Sequence, residues 1–539
     1  MNIKKDENIK FKVGYQIFPI SFKDSNNDGI GDLKGIEEKL PYLKELGIDI
    51  IWLCPIYKSN FADAGYDVIN YCEIDPKFGT MDDFDSLMKN AKKLGIDIMM
   101  DFVINHASTD SFEFKQACLS RDNEYHDFFV WSDNPKLENE SIFGNSAWEY
   151  VESVDQYYLH IFAKEQADFN FHSEKFKKWL YKIFIFWLEK GVKFFRFDAI
   201  EHIGKTVDPY IIRYGKYNHQ FLEEIAKNVT SKYDCYVVGE SWNVNPEIMR
   251  KYSIEDKIVD SFFNFSTLFF DWKNPNGAMA KVKNEVDWKD LQDYFKWQKE
   301  NLITATSWTN HDVPRAIDRY FKTDINNRFY AQTAMTTLLM TTKGIPFIYQ
   351  GEEFGMSPLA INSYDDFVDQ QIFRKKEEFM KNNNYTDQEY FQANLTGSRD
   401  LSRSIMSWND SKNAGFTNDN VKPYYKKSKD FEIINAESDI SKNKKSIFLY
   451  TKKLIDLRKN KYKDWFCDFD SIEIIVLDSK KTIYSLIKNN KNIYVSINWT
   501  NEEQKCKRDI KNILLSNYED DKEKINNEIL KPFEATIYE

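Results

Sequence analysis

The sequence predicts an α/β fold: a (β/α)8 TIM barrel with a small domain inserted after strand 3 and a C-terminal antiparallel β-domain. Three observations predict it. A helix–glycine–strand unit recurs, its strands are apolar along their whole length, and the 539 residues suffice for two or three domains. The unit runs Lys44 to Leu53 and again Lys92 to Asp101, with a looser copy from Leu188 to Asp198. Gly47, Gly95 and Gly191 each stand where a helix ends, the position that favours a left-handed residue. Ahead of the first two lie helically spaced apolar sets, Ile36, Leu40, Leu43 and Leu46, then Phe84, Leu87, Met88, Ala91 and Leu94. Strands apolar throughout are buried on both faces, as in a parallel sheet.

Read in order, the strands fall at 13–18, 48–53, 96–103, 192–197, 235–239, 258–264, 303–308 and 345–349. The first two glycines of the unit are 48 residues apart and the next interval is 96, so an insertion is expected, at 107–171. The barrel is then expected over 1–106 and 172–464, with a second long excursion at 355–445. Ile472–Leu477, Thr482–Ile487 and Asn492–Ile497 read as short strands of a β-domain over 465–539.

A formal net charge of −11 disfavours nucleic acid and anionic membranes but not a neutral ligand. Met1–Lys12 is polar, without the apolar core of a secretion signal, and no apolar run is long enough to span a membrane. Six cysteines, Cys54, Cys72, Cys118, Cys235, Cys467 and Cys506, form no CxxC pair or zinc-like cluster. Free thiols and a cytoplasmic location are expected.

Active sites of such barrels sit at the C-terminal ends of the strands. Polar residues gather there: Asp101, Asn105 and His106 after strand 3, Arg196 and Asp198 at strand 4, Glu240 after strand 5, and Asn310, His311 and Asp312 after strand 7. Gly65, Tyr66 and Asp67 follow strand 2. Cleaving a glycosidic bond needs two carboxyl groups, one attacking the anomeric carbon and one protonating the leaving oxygen. Arg196 and Asp198 are two apart on one strand and share a side, so the guanidinium is expected to hold Asp198 ionised. Glu240 is the candidate acid.

Four stretches, Asp101–His106, Phe195–Ala199, Val238–Glu240 and Asn310–Asp312, resemble in order the four motifs of the α-amylase superfamily, in its oligo-1,6-glucosidase/α-glucosidase branch. Gly14–Pro19, Asp24–Asp32, Tyr157–His160, Gln166–Asn170, Gly344–Glu353 and Ser398–Arg403 add to the likeness. The resemblance implies a retaining exo-α-glucosidase acting on short oligosaccharides. Asp198 would be nucleophile, Glu240 general acid/base, and Asp312 the holder of sugar hydroxyls. His106 and His311 would bond hydroxyls of the cleaved glucose, Arg196 would orient Asp198, and Tyr66 would stack on the sugar. Asp67 and Arg403 would form an ion pair closing the pocket beneath it.

Asp24, Asn26, Asp28, Ile30 and Asp32 match the first nine positions of an EF-hand loop, Ile30 through its carbonyl, although Gly35 stands where the twelfth-position glutamate belongs. A structural Ca2+ or Mg2+ is expected. Phe194 departs from the usual small residue, and Gln166–Asn170 resembles the trehalose-6-phosphate hydrolase version of its motif. Ala199 follows the nucleophile, where valine goes with α-1,6 cleavage and alanine with α-1,4 or broader action. The alternatives are a trehalose-6-phosphate hydrolase or sucrose isomerase of the same superfamily, and a non-catalytic amylase-like protein, which would carry damaged motifs.

Overall fold

A computed structural model of the chain describes residues 7–268, 270, 286–300, 302–321, 324–383, 385–442, 444–519 and 525–539. The first half of the polar opening, Met1 to Asp6, lies outside them. Eight strands close into a parallel barrel. They are β1 (Gly14–Ile17), β2 (Ile50–Leu53), β3 (Asp97–Val103), β4 (Phe194–Asp198), β5 (Tyr236–Gly239), β6 (Ser261–Asn264), β7 (Ala305–Thr306) and β8 (Ile345–Tyr349). Each falls where the sequence predicts one. Gly14 pairs with Ile50 of β2 on one side and Phe347 of β8 on the other, which closes the ring. A Cβ on Gly14 would stand 2.3 Å from the Phe347 ring, so only glycine fits there.

Gly47, Gly95 and Gly191 all adopt left-handed φ, at 103°, 69° and 91°, ending the helices that lead into β2, β3 and β4. Two of those helices start with side-chain caps: Thr80 accepts from the Asp83 N–H ahead of Met81–Lys93, and Ser173 from the Phe176 N–H ahead of Glu174–Glu189.

Alternation along the strands decides what faces the barrel axis. On β4, Phe195 and Phe197 turn outward against Phe184. Phe194, Arg196 and Asp198 turn inward. Phe194 joins Ile50, Trp52, Met99, Val238, Phe263, Ala305 and Phe347 in an apolar plug that fills the lower barrel. Its bulk is floor packing, and two residues up the same face carries charge.

Between β3 and Glu174–Glu189 the chain builds a three-stranded antiparallel sheet from Trp131–Ser132, Gln156–Leu159 and Trp148–Val151. A two-stranded pair, His106–Ser108 with Gln166–Asp168, ties this insert to the end of β3. At the C-terminal end β9 (Ser471–Leu477), β10 (Lys481–Lys488), β11 (Lys491–Asn498), β12 (Ile513–Ser516) and β13 (Ala535–Tyr538) form an antiparallel sheet in the order β9-β10-β11-β13-β12. It packs on the barrel through Trp499, stacked 4.2 Å from Trp288. No disulfide joins the six cysteines, and among the described residues no helix is long and apolar enough to cross a membrane.

Behind β8 sit two buried glutamates. Glu353 accepts from the Tyr15 and Tyr42 hydroxyls, both at 2.9 Å, and Glu352 from the Thr309 hydroxyl at 2.6 Å. Burial pushes both carboxyls up to about 7.

Candidate active site

Above the apolar plug, inward positions of adjacent strands meet at one guanidinium. Arg196 Nη1 lies 2.6 Å from Asp101 Oδ1 and 2.7 Å from Asp198 Oδ1, and its Nη2 lies 3.1 Å from Glu240 Oε1. Arg196 thus gathers the ends of β3, β4 and β5, with its guanidinium 5.3 Å above the Trp52 ring. Asp101 also accepts from the Trp52 indole at 3.2 Å and the Tyr66 hydroxyl at 2.9 Å. Glu240 Oε2 accepts the Ala199 N–H at 2.7 Å, and Oε1 accepts the Trp242 indole N–H at 2.8 Å.

His311 is aligned from both ring nitrogens. The Gln16 amide donates to Nδ1 at 2.8 Å, leaving the proton on Nε2, which is 2.8 Å from the Tyr66 hydroxyl. The Tyr66 and His311 rings stack, 5° from parallel. His106 Nε2 donates to the Tyr66 carbonyl at 3.1 Å. Burial drives both histidines down to about 3, so at neutral pH each is a neutral ring offering a hydrogen bond.

The acids differ in their surroundings. Burial raises Asp101 to about 6 despite Arg196. Asp198 is also raised: burial leads, Arg196 opposes it, and like-charge repulsion from Glu240, Asp101 and Asp312 adds to the rise. The expectation that Arg196 alone keeps Asp198 a strong acid is therefore corrected. One guanidinium shared among three carboxylates neutralises only one of them. Asp312 goes the other way. Burial opposes its charge, but His311, Arg399 and Arg403 pull it down to about 2. His311 is itself neutral, so the two guanidinia carry that effect.

The ion pair at the closed end is not the expected one. Asp67 is fully buried and accepts from the Ser59 hydroxyl at 2.8 Å and the Asn60 and Asp63 N–H groups at 3.2 Å. It shapes its own loop and does not meet Arg403. Arg403 donates to the His311 carbonyl at 2.8 Å and to Asp312 at 3.3 Å. The closing pair is Arg399 with Asp63, at 3.1 Å, and Arg399 also binds Asp369 at 2.8 Å and Asp312 at 3.3 Å. The short helix Arg399–Ser402 carries Arg399 to the cavity, and Arg403, just past its end, stays underneath. Both arginines stand in the same short stretch, so the sequence could not say which one faces outward.

Tyr66, His106, Asp198, Glu240 and Asp312 line a cavity of about 420 Å3, within the range of small-ligand pockets. Asp63, Asp312 and Arg399 form one end, Asp198 and Glu240 a wall, and Phe143, Phe162, Trp242 and Phe265 aromatic sides. Asp67, Arg196, His311 and Arg403 are not among its lining residues: Arg196 and His311 sit behind Asp198, Glu240 and Tyr66, which they bind. Gln166, which was not foreseen as a site residue, reaches from the insert to Asp63 at 3.3 Å and His106 at 3.0 Å. Its signal was the Gln166–Asn170 stretch, whose first residue is a buried amide.

The 24–32 loop lies apart, its residues not among those lining the cavity. Asp24 accepts from the N–H groups of Asn26, Asn27 and Gly29, and Asp28 from that of Ile30. Asp32 caps the helix Leu33–Glu38 through the Gly35 N–H and binds Ser25. A Cβ at Gly35 would stand 2.1 Å from the Lys23 carbonyl oxygen, so no twelfth-position carboxylate fits. Among the described residues no three acidic, histidine or cysteine side chains are grouped as a metal cage. The loop is held by these hydrogen bonds and by the N–H groups of Asn418 and Tyr424, which donate to Asn27 Oδ1 and the Gly29 carbonyl.

The α-amylase catalytic-domain family model matches residues 16–466. Among curated proteins, an oligo-1,6-glucosidase of Bacillus cereus and a glucan 1,6-α-glucosidase of Streptococcus pneumoniae are each 35% identical, over 98% of both chains. Among solved structures, trehalose-6-phosphate hydrolase of Bacillus licheniformis superposes with a TM-score of 0.89 at 34% identity, covering 98% of this chain and 99% of that one. Isomaltulose synthase of Protaminobacter rubrum superposes with a TM-score of 0.92 at 30% identity, covering 99% of each chain. With eight strands, an intact acidic ring and this match over most of its length, the chain belongs to the α-amylase family.

Proposed function

We propose that the protein is a retaining, exo-acting α-glucosidase that releases glucose from short α-1,4- or α-1,6-linked oligosaccharides. The observation that carries this reading is the Arg399–Asp63 ion pair in the lining of the same cavity that Asp198 and Glu240 line. Closing one end in this way, the pair would admit a chain terminus and exclude an internal bond. In the first step the Asp198 carboxylate attacks the anomeric carbon, and the C–O bond breaks as Glu240 gives its proton to the leaving oxygen. In the second, Glu240 takes a proton from water, whose oxygen displaces Asp198 and yields α-glucose. The ionised Asp312 accepts hydrogen bonds from the glucose hydroxyls, Tyr66, held in place by the His311 N–H, gives the sugar a face, and His106 lines the cavity beside it. Arg196 keeps the carboxylates in one cluster.

Arg213 also lines the cavity, its Nε 3.3 Å from the buried Glu201 carboxylate, so trehalose 6-phosphate belongs in the panel that tests the reading. The test is a panel of maltose, isomaltose, panose, sucrose, trehalose, trehalose 6-phosphate and starch. Glucose release from the short glucosides with little from starch is expected, and the first product by NMR should be the α-anomer. Long fragments from starch, or β-glucose, would overturn the reading.

A structural Ca2+ or Mg2+ on the 24–32 loop belongs to this reading on its donor set alone, the side chains of Asp24, Asn26, Asp28 and Asp32 and the Ile30 carbonyl. Chelation should then lower Tm, because an ion bound only by the folded state stabilises it. An unmoved Tm with no metal by elemental analysis would remove it. A cytoplasmic location is proposed from the six cysteines that no disulfide joins.

A further inference from the structure

Both oxygens of Glu240 face N–H donors: Ala199 at 2.7 Å, the Trp242 indole at 2.8 Å and Arg196 at 3.1 Å. Donors of this kind favour the charged carboxylate, while cleavage of the glycosidic bond needs the protonated one. Two of the three are fixed by the fold, Ala199 by the backbone and Arg196 by its three ion pairs. Trp242 is different. It is half-buried at the cavity wall, on the turn that follows β5, packed 5.0 Å from Phe265. That turn is held from below. Glu201 Oε2 accepts from the Ser241 hydroxyl at 2.5 Å and the Asn243 N–H at 3.1 Å, and Oε1 from the Asn243 amide at 3.0 Å. The residues on either side of Trp242 are thus anchored to one buried carboxylate.

We propose that Trp242 is a positioning residue for the acid/base step, its indole N–H orienting the Glu240 carboxylate that activates water. The inference rests on the assignment of Glu240 as acid/base. The other charged groups facing Glu240 are Arg196, Asp198 and Asp101 on the adjoining strands. Asp312 lines the same cavity, and Glu201 holds the turn that carries Trp242.

The test is Trp242→Phe, which keeps a ring against Phe265 and loses only the N–H. The alkaline limb of kcat/KM for maltose should move up by about 1 pH unit, roughly tenfold more activity at a fixed pH on that limb. The limb for 4-nitrophenyl α-glucoside, whose leaving group needs little protonation, should move less. Ser241→Ala, which loosens the turn, should shift the maltose limb in the same direction by a smaller amount. Phe265→Leu, which alters packing without removing the donor, should leave it in place. A Trp242→Phe limb superimposed on wild type overturns the proposal, as does an equal shift in Phe265→Leu. Glu240→Gln separates the two failures. If it still hydrolyses maltose, the acid/base assignment is wrong; if it does not and the limb is unmoved, only the role of Trp242 falls.

Discussion

The wall of the cavity and its closed end are built on different principles. On the wall side, Asp101, Asp198 and Glu240 stand near the ends of adjacent strands, where alternation and barrel register place them within 3.1 Å of the Arg196 guanidinium. At the closed end, Asp63, Asp312, Asp369 and Arg399 come from four separated loops and meet only because those loops are packed together. Periodicity positions the first group; loop conformation, which has no period, positions the second.

The wall should be the less forgiving. Asp198→Asn is expected to lower kcat at least about a thousandfold while the fold persists. A variant that kept a tenth of wild-type turnover would remove Asp198 as nucleophile.

The closed end can be tested by setting the observed pair against the expected one. Arg399→Gln leaves Asp63, Asp369 and Asp312 without their shared partner and should lower kcat/KM for maltose by about a hundredfold, chiefly through KM. Asp67→Asn, which touches only its own loop, should cost under about tenfold. The reverse order would restore Asp67 to the pocket.

A finer probe of the wall is Ala199→Val. The added bulk beside the nucleophile should raise the isomaltose-to-maltose ratio of kcat/KM by roughly tenfold. Ala199 has φ of 49°, a region that β-branched residues resist, so Tm should fall as well. An unchanged ratio would move linkage choice to another residue.

The smallest effect lies outside both regions and concerns stability. Asp312, matched by guanidinia, sits at about 2, while Glu353, met by tyrosine hydroxyls and a backbone N–H, sits at about 7. A raised acid binds its proton more tightly when folded. Its contribution is full below the unfolded value near 4.5 and fades as pH rises through about 7. Tm should therefore drop between pH 5 and 8, and Glu353→Gln should flatten that slope. Parallel curves for the two proteins would contradict the assignment.

The same division explains what the sequence disclosed. All eight barrel strands and the wall residues could be read from helix–glycine–strand punctuation and two-residue alternation, both local properties. Asp63 stands four residues before Asp67 and Arg399 four before Arg403, so each partner was named four residues away from the one that reaches the cavity. Nothing local in either stretch distinguishes the buried member from the lining one. The sign of the Asp198 shift was missed for a related reason, since it depends on how many carboxylates share Arg196, which is a tertiary fact.

The pairing of Gly14 with Phe347 also governs how the protein is made. During synthesis β1 emerges with one edge committed to a strand about 330 residues further along. At roughly 5–20 residues per second that partner arrives on the order of twenty seconds to a minute later. For all of that interval the nascent chain carries an open sheet edge beside unfilled apolar surface, the combination most prone to join a neighbouring chain. Expression at lower temperature or with a holdase chaperone should thus improve yield more than any substitution at the catalytic residues would harm it.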